Sequence, residues 1–517
     1  MNNPEIELKL LIGHADIPRL RRQPLLTLLC SAGPERRKLL SIYFDTDDFF
    51  LKRHDMALRV RRVGRRWIQT VKGGGGVQAG LHRRDEWEAP VVSDQPDFTV
   101  LADPGLVALF SDAALRQRLH PVFVTEFVRT AWLLETEAGD RIEMALDSGE
   151  IRAEQGKSPI SEVELELKTG DPAALFDLAL ALQEDLPLMP ENASKAERGY
   201  ALCAAPPPPP AVRAAQPELA REMTVEAAFR AIAWNCIGQL QDNQSRLQHG
   251  YDPEAIHQMR VAVRRLRSAL NLFGAAAPGI RDAMLIGELR WLVGELGAAR
   301  DWDVFLSQTL PPVAEALPQD AGLVRLRQAA ARLCRKAHQQ AAAAAASPRY
   351  HRLLLMLGRW LWRAPWRDAA EAAELAQLDQ PLVDYAAAML GRSHRRLHRR
   401  GRNFAQLGAE QRHALRIVAK KQRYAAEFFS GLYPRKATRA YLQALAALQD
   451  ELGVLNDLAV TGRLLEQLGV GSPLRRHASG VIIGWIAGKT HFLLAGAARA
   501  WRRFSRRKVF WGEGNHV

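Results

Sequence analysis

Charged and apolar side chains alternate along five segments in the first 200 residues of the chain. The segments are residues 5–10, 57–61, 84–88, 141–146 and 162–168. Such alternation with a period of two is typical of β-strands that have one apolar face and one charged face. A single charged row is as often a solvated sheet surface as a binding site, but five rows of mixed acids and bases indicate a shared site.

The residue types in these rows suit a triphosphate ligand. Arg and Lys supply the cations that phosphate oxygens need, and carboxylates supply the hard oxygen ligands that Mg²⁺ or Mn²⁺ prefers. A divalent ion can orient a water molecule and neutralise charge on a transferred phosphoryl group. The acids available to such an ion are Glu5, Glu7, Asp147, Glu164 and Glu166.

A fold must bring these strands together before their side chains can share a ligand. Several such strands closed into a barrel would place the charged rows in its interior. Short helices are predicted at 171–183 and near 104–119. Residues 73–76 are consecutive glycines, which predict an ordinary turn, with a flexible hairpin tip at the mouth of the barrel as the alternative.

The first 202 residues resemble a known family. Glu5-Ile-Glu7-Leu-Lys9 has the Glu-x-Glu-x-Lys signature of the CYTH domain, the family of triphosphate tunnel metalloenzymes. Further matching segments follow in the family's order: Tyr43-Phe-Asp45-Thr46, Leu58-Arg59-Val-Arg61, Thr70-Val-Lys72-Gly73, Arg84-x-Glu86-x-Glu88, Arg129-Thr130, Leu146-Asp147-x-Gly149, Glu162-Val-Glu164-Leu-Glu166-Leu-Lys168 and Ser194-Lys195. The resemblance implies an eight-stranded antiparallel barrel that encloses a tunnel.

The resemblance also implies roles for the charged residues. Those expected to bind phosphate are Lys9, Arg59, Arg61, Lys72, Arg129 and Lys195. Glu5, Glu7 and Lys9 are expected to be catalytic, and Mg²⁺ or Mn²⁺ is expected on the five acids named above. Glu86 and Glu88 are expected to orient the basic residues, while the role of Glu162 stays open between metal binding and pairing with Arg. Family members act on inorganic triphosphate, thiamine triphosphate, RNA 5′-triphosphate ends or, as class IV adenylate cyclases, ATP.

Residues 203–217 separate two regions of different composition. Positions 206–210 are consecutive prolines, which favour an extended spacer. Residues 1–200 carry 26 basic and 32 acidic residues, a net charge of −6, whereas the rest of the chain carries the other 45 of 71 basic and 25 of 57 acidic residues, a net charge of +20. A basic helical domain that attracts polyanions is therefore predicted at 218–510.

The helical region contains an internal repeat. His257-x-x-Arg260-x-x-x-Arg264-x-x-Arg267 recurs as His413-x-x-Arg416-x-x-x-Lys420-x-x-Arg423, an offset of 156 residues. At helical spacing these residues share one stripe, and an apolar stripe lies opposite, formed by Met259, Val263, Leu266, Leu270 and Phe273. The duplication favours a phosphate-binding surface over a solvated face. Asp301 and Asp457 are predicted to cap helices or to orient the arginines.

This repeat, with Arg300-Asp301-x-Asp303 and Asn456-Asp457, resembles the CHAD domain over about 218–510. The resemblance implies duplicated helical bundles with pseudo-twofold symmetry and a basic groove that binds inorganic polyphosphate. The expected ligands are the eight basic residues of the two stripes. The second copy departs from the first, since Asn456 replaces Arg300 and Ala459 replaces Asp303. Nucleic acid is not expected as a partner, because no aromatic residues interleave with the basic ones to stack bases.

Location is predicted from cysteine usage and hydropathy. Cys30, Cys203, Cys236 and Cys334 fall in no metal or redox spacing and are expected to be free thiols. No apolar signal region is expected at the N-terminus, and the apolar stretch 480–488 is too short to span a bilayer. A cytoplasmic protein without a membrane partner is therefore expected, and polyphosphate granules are a further location that its ligand would allow.

The combined prediction is an α+β multidomain enzyme that hydrolyses inorganic triphosphate to pyrophosphate and phosphate. The N-terminal tunnel would carry out hydrolysis, and the helical domain would bind polyphosphate. Two alternatives stay open: a thiamine triphosphatase or class IV adenylate cyclase of the same fold, and a non-catalytic protein that docks on polyphosphate granules.

Overall fold

The computed structural model of the protein describes residues 5–30, 32–204, 210–247, 250–469 and 472–512. Residues 205–209, which include four of the five consecutive prolines, lie outside the described residues. The side chains of Arg84 and Asn456 do so as well. The chain forms two compact units. The first unit is Met1–Pro210 with Ser347–Arg363, and the second is Ala211–Ala346 with Ala364–Val517.

The first unit is built on an antiparallel sheet. Its strands are β1 (Glu5–Leu11), β2 (Glu35–Asp45), β3 (Met56–Val63), β4 (Arg66–Gln78), β5 (Leu81–Val91), β6 (His120–Glu135), β7 (Arg141–Ala153), β8 (Gly156–Thr169) and β9 (Met189–Pro190). Strand β1 pairs with β8 and also with β5, at the other end of the strand order, so eight strands curl into a ring. The expected antiparallel barrel is confirmed, but the described sheet has nine strands rather than eight, since the two-residue β9 also pairs with β1.

Helices fill the connections of the first unit and form the second unit. They are α1 (Ile17–Leu20), α2 (Pro24–Leu29), α3 (Phe50–Arg53), α4 (Pro104–Phe110), α5 (Ala113–Arg118), α6 (Ala173–Leu182), α7 (Lys195–Ala204), α8 (Val225–Leu247), α9 (Pro253–Phe273), α10 (Ala283–Val304), α11 (Pro311–Ala316), α12 (Ala321–Ala345), α13 (Pro348–Arg363), α14 (Ala372–Asp379), α15 (Leu382–Gly401), α16 (Ala409–Phe429), α17 (Arg435–Gly469) and α18 (Pro473–Ser505). The helix predicted at 171–183 is α6, and the one predicted near 104–119 is the pair α4 and α5.

The four consecutive glycines are neither a turn nor a hairpin tip. They lie inside β4, where the register with β5 shifts between Gly73 and Gly76. The chain reverses later, at Ala79 and Gly80, both of which have positive φ. A shift of register of this kind is a β-bulge, which glycine favours because it adopts conformations that other residues avoid.

Helix α13 packs inside the first unit, although it lies in the sequence between the two helical repeats. Its Gly358 faces Phe176 of α6 so closely that an added Cβ would lie 2.3 Å from the Phe176 ring. Asp177 of α6 forms ion pairs with Arg363 and, at 3.5 Å, with Arg359 of α13. These contacts attach α13 to the first unit.

The repeat is visible in the helix boundaries of the second unit. Helix α9 begins at Pro253 and ends at Phe273, and α16 begins and ends 156 residues later, at Ala409 and Phe429. Helices α8 and α15 are related in the same way near their starts. The predicted apolar stripe of α9 is confirmed, since all five of its residues are buried.

Helix α18 is longer than the apolar stretch at its centre. Its 33 residues make it, in the described part of the chain, the one helix long and apolar enough to cross a membrane by length and composition. The sequence expectation considered residues 480–488 alone and therefore underestimated the length. Helix α18 packs against α17 and α12 in the same unit, and 18% of its most apolar window is buried.

Candidate functional site

Strand register brings the predicted residues of the first unit onto one face. Lys9 of β1 lies opposite Glu164 of β8, and Glu7 lies opposite Glu166. On the next strands Asp147 of β7 lies opposite Glu162 of β8 and opposite Arg129 of β6. Because side chains alternate between faces, these residues and their neighbours two positions away point into the ring.

A cavity of about 80 Å³ lies inside the ring. All six predicted phosphate-binding residues line it, together with three of the predicted acids. The lining residues are Glu5, Glu7, Lys9, Tyr43, Ala57, Arg59, Arg61, Lys72, Arg129, Glu164, Ser194, Lys195 and Ala196. Asp147 and Glu166 are not among them.

One end of the network is a buried cluster of ion pairs around Lys195. Its ammonium group lies 2.6 Å from Asp147 and 2.9 Å from Glu164, and it also pairs with Glu162. Lys9 donates to Glu164 at 2.7 Å. Glu162 additionally pairs with Arg198, which is one of the two roles left open for it by the sequence.

A second group of ion pairs lies around Glu86. Lys72 lies 2.6 Å from Glu5 and 3.0 Å from Glu86, and Arg59 lies 3.0 Å from Glu86. Glu88 accepts a hydrogen bond from the Thr70 hydroxyl at 2.9 Å. Glu86 therefore orients two cations, as expected from the sequence.

Arg61 differs from the other cations of the cavity. It donates to the Ser41 hydroxyl at 3.0 Å and makes no ion pair with a carboxylate within the described residues. Burial, with the neighbouring Arg59 and Arg129 guanidiniums, lowers the pKa of Arg61 to about 10. A partly buried cation beside other cations, without its own acid, strongly attracts an anion.

The two acids of β1 have opposite electrostatic environments. Burial raises the pKa of Glu5 to about 7, against the attraction of Lys72, and the adjacent Glu7 adds to the increase. Burial would also raise the pKa of Glu7, but Lys9, Lys72 and His82 together outweigh it and lower the pKa to about 2. Near neutral pH, Glu7 is therefore ionised, whereas Glu5 is present in both its protonated and its ionised form.

Two groups of acids offer carboxylate oxygens to a hard divalent cation. Asp147, Glu162 and Glu164 have oxygens within 4.8 Å of one another, a spacing that a metal could bridge. Lys195 pairs with all three of them. Glu5 and Glu7 line the cavity directly, with carboxylate oxygens of the type that Mg²⁺ and Mn²⁺ take. Glu166 lies beside Glu7 in the register and pairs with Lys168 at 2.6 Å.

Sequence reasoning missed several uncharged members of the site. Tyr43 lines the cavity, and Arg59 and Arg61 outweigh its burial and lower the pKa of its hydroxyl. Ser41 lies two positions before Tyr43 on β2, so both side chains point to the same, inner face. The signal was the same period of two, but neither residue carries a charge to reveal the inner face.

The second unit has a basic groove of about 730 Å³. Five of the eight predicted polyphosphate ligands line it: His257, Arg264, Arg416, Lys420 and Arg423. The other three do not line it. Arg260 is buried and donates to the Val293 carbonyl at 3.3 Å, while Arg267 and His413 lie elsewhere on their helices.

Cations dominate the groove. Arg264, Arg416 and Lys420 make no ion pair within the described part of the chain, whereas Arg423 pairs with Glu427 at 2.6 Å. Burial, with Arg264 and Arg416 nearby, lowers the pKa of Lys420 to about 7. Burial and Arg300 lower the pKa of His257 to about 4, so this histidine is neutral at pH 7 and offers hydrogen bonds rather than charge.

The two aspartates of the repeat do not cap helices. Asp301 lies inside α10, where Arg260 partly offsets the burial that raises the pKa of its carboxyl. Asp457 lies inside α17 and lines the groove, close enough to attract Arg416 and Lys420. Of the two predicted roles, orientation of the basic residues agrees with these positions.

Family comparison matches both units. The CYTH domain matches residues 3–200, and the CHAD domain matches residues 231–466. The crystal structure of the CHAD domain from the plant Ricinus communis is 38% identical, covers 58% of this chain and 97% of its own, and has a TM-score of 0.52. The chain is a CYTH domain fused to a CHAD domain.

Two triphosphatases are similar to the chain. The inorganic triphosphatase of Haemophilus influenzae is 37% identical over 161 residues, which are 31% of this chain and 44% of that protein. The chain therefore matches less than half the length of this relative. The crystal structure of another inorganic triphosphatase is 18% identical to this chain, with a TM-score of 0.17. The match covers 38% of this chain and 94% of that protein.

Proposed function

We propose that the CYTH domain hydrolyses inorganic triphosphate to pyrophosphate and phosphate, with Mg²⁺ or Mn²⁺, and that the CHAD domain binds inorganic polyphosphate. The observation that carries the first part is Arg61, a partly buried cation without an acidic partner among the described residues. It lies in a cavity that is lined by five further cations. A linear phosphate chain provides the negative charge that this arrangement lacks. The identity with the Haemophilus influenzae inorganic triphosphatase supports the same substrate.

The residues of the cavity divide the work between binding and metal retention. Arg59, Lys72, Arg129 and Lys195 exchange their carboxylate partners for phosphate oxygens. Arg61 binds phosphate oxygens without giving up a carboxylate. Glu5 and Glu7 hold the divalent ion, which supplies charge neutralisation and an oriented water when bound. Lys9 lies 3.2 Å from Glu7 and keeps that carboxyl ionised.

The lining of the cavity favours inorganic triphosphate over thiamine triphosphate or ATP. Its described uncharged members are Tyr43, Ala57, Ser194 and Ala196. An organic base or ring needs an apolar or aromatic surface beside the phosphates. The cavity offers little such surface, since only the buried Tyr43 is aromatic.

Phosphate release by the full-length protein tests the catalytic proposal. Triphosphate, pyrophosphate, ATP and thiamine triphosphate are each supplied with Mg²⁺, with Mn²⁺ or with chelator. We expect turnover of triphosphate above all others and its loss with chelator. Equal turnover of ATP or thiamine triphosphate would favour the alternative enzymes, and no turnover with tight polyphosphate binding would favour a docking protein.

The basic groove carries the polyphosphate proposal, because its unpaired cations are held close together by the fold. Charge reversal tests it. Arg264→Glu, Arg416→Glu and Lys420→Glu together should abolish binding of labelled polyphosphate. A control with the same change in net charge reverses three exposed residues of α12, Arg325, Arg327 and Arg332, and should keep most of the binding. Equal losses in both variants would show that only net charge matters.

A further inference from the structure

A mixed cluster of metal-ligating side chains lies in the first repeat of the CHAD domain, apart from the basic groove residues. Asp303, Cys334 and His338 are all buried, and their ligand atoms lie within 4.8 Å of one another. His338 Nε2 is 2.9 Å from one oxygen of Asp303 and 3.1 Å from the other. The Cys334 sulfur is 3.4 Å from Asp303 Oδ1.

Tyr251 completes the cluster with a fourth donor atom. Its hydroxyl lies 2.8 Å from Asp303 Oδ1 and 3.8 Å from the Cys334 sulfur. Its ring contacts the His338 ring, with centroids 4.1 Å apart. Sulfur, nitrogen and oxygen atoms of three side chains therefore surround one oxygen of the Asp303 carboxylate.

The distances suit a tetrahedral ion. With metal–ligand bonds of about 2.0–2.3 Å, the edges of a tetrahedral site are about 3.3–3.8 Å. The contacts around Asp303, from 2.8 to 3.4 Å, lie at or just below these values, and the distance of 3.8 Å between the Tyr251 hydroxyl and the Cys334 sulfur matches them. A thiol and an imidazole select zinc over Mg²⁺, which prefers an all-oxygen site.

The fold holds the ligands from two directions. Cys334 and His338 are four residues apart on α12, so they lie on one face of that helix. Asp303 is the penultimate residue of α10, immediately before a π-helical turn at Phe305–Thr309. Such turns are rare and often lie at functional sites. This turn carries Gln308, which lines the basic groove.

The second repeat shows that the packing does not require these residues. At the offset of 156, the positions of Tyr251, Asp303, Cys334 and His338 are occupied by Leu407, Ala459, Thr490 and Leu494. None of these four is a metal ligand of the kind found in the first repeat. A buried polar cluster is usually no more stable than apolar residues of similar size, so its presence in one repeat alone points to a ligand.

We propose that Asp303, Cys334 and His338, with Tyr251 as the fourth donor, form a zinc site in the first CHAD repeat. The ion would join the end of α10 to α12 and fix the turn that carries Gln308. This site is independent of the divalent metal proposed for the CYTH domain, because only this one contains a thiolate.

Cobalt substitution tests the proposal in the full-length protein. After removal of metal with chelator, Co²⁺ is titrated and the near-ultraviolet absorption of a cobalt–thiolate bond is recorded. Co²⁺ bound to the carboxylates of the CYTH domain does not give this band. We expect about one Co²⁺ per chain in the thiolate form, displaced by Zn²⁺.

Variants identify the ligands. Cys334→Thr and His338→Leu introduce the residues of the second repeat, which pack in its helices, and each should abolish or sharply weaken the band. Cys236→Ser, at another buried cysteine on α8, should keep it. Absence of the band in the unaltered protein, or its persistence in Cys334→Thr, would overturn the proposal. Zinc content of the purified protein provides a second readout, with retention expected only where Cys334 is present.

Discussion

Arg129 and Asp147 lie directly opposite each other on β6 and β7, and the Arg129 guanidinium donates to both carboxylate oxygens, at 2.8 and 2.7 Å. Asp147 is fully buried and also pairs with Lys195. The surrounding cations outweigh its burial, and Arg129 contributes most to lowering the pKa of its carboxyl. Asp147 therefore neutralises Arg129 and Lys195, two of the residues proposed to bind phosphate.

Asp147→Asn should destabilise the CYTH domain. Loss of one partner from a buried ion pair leaves an uncompensated charge and typically costs about 3–5 kcal/mol. Urea unfolding in the presence of chelator measures the free energy. Asp185→Asn is the control, because Asp185 and Arg19 form an exposed pair at 3.8 Å whose loss should cost less than about 1 kcal/mol. Equal stability of the two variants would contradict the structural role of Asp147.

Arg61→Met should separate substrate binding from stability. The residue has no carboxylate partner among the described residues, so its removal should leave the free energy of unfolding unchanged or increased. Loss of charged hydrogen bonds to phosphate, about 1.5–3 kcal/mol, should lower kcat/KM for triphosphate about 10- to 100-fold. Unfolding and steady-state kinetics are measured on the same preparation. A destabilised variant with unchanged kcat/KM would reverse this assignment.

Metal affinity should depend on the protonation of Glu5. Below its pKa of about 7, Glu5 is protonated and the metal must displace the proton, whereas above it the carboxylate is free to bind. Apparent Mn²⁺ affinity should therefore fall up to about tenfold for each pH unit below 7 and level off above it. Calorimetric titration with Mn²⁺ between pH 5.5 and 8.5 checks this slope, because the range includes the Glu5 pKa of about 7. Glu5→Gln should bind more weakly and lose the slope, and a slope retained in this variant would assign it to another group.

Polyphosphate binding should weaken as pH rises, because Lys420 loses its proton near pH 7 in the free protein. A polyanion prefers the protonated lysine, so binding above the pKa requires the uptake of one proton. The affinity therefore falls with each further pH unit. Affinity measured at constant ionic strength should fall between pH 6 and pH 9. Lys420→Arg should remain charged and flatten this dependence. A fall of the same size in Lys420→Arg would place the titrating group elsewhere.

The contact between α13 and α6 predicts an unusual response to a glycine substitution. A Cβ at Gly358 would lie 2.3 Å from the Phe176 ring, so Gly358→Ala should destabilise the first unit by about 1–3 kcal/mol. Gly287 on α10 has open space around an added Cβ, and Gly287→Ala should stabilise its helix by up to about 1 kcal/mol. Thermal unfolding of both variants checks the opposite signs. A gain of stability in Gly358→Ala would exclude this close contact.

Strand pattern predicted much of the first unit. All five alternating segments are strands, because each buries an apolar face while the charged face lines the ring. The bulge in β4 was not predictable, since a run of glycines is compatible with either a turn or a strand. The position of α13 was also beyond the pattern. Its apolar face identifies a buried helix but does not identify the partner, which is the distant α6.

Site residues were predictable by type but not by pairing. The charged row of β8 was evident, yet only the structure shows that Lys195 and Arg198 of α7 pair with Glu162. In the helical domain, spacing placed Arg260 on the basic stripe with Arg264. Residues at the edge of such a stripe can be buried against neighbouring helices. Arg260 is one of these buried residues and does not line the groove.

Phosphate release from triphosphate by the full-length Glu5→Ala, Glu7→Ala variant tests the central claim most directly. Both residues line the cavity and carry the carboxylates proposed to hold the divalent ion. Loss of metal-dependent stabilisation worth several kcal/mol should lower turnover with Mn²⁺ about 100-fold or more, while polyphosphate binding by the same preparation stays at the level of the unaltered protein. Undiminished turnover of triphosphate in this variant would contradict the account.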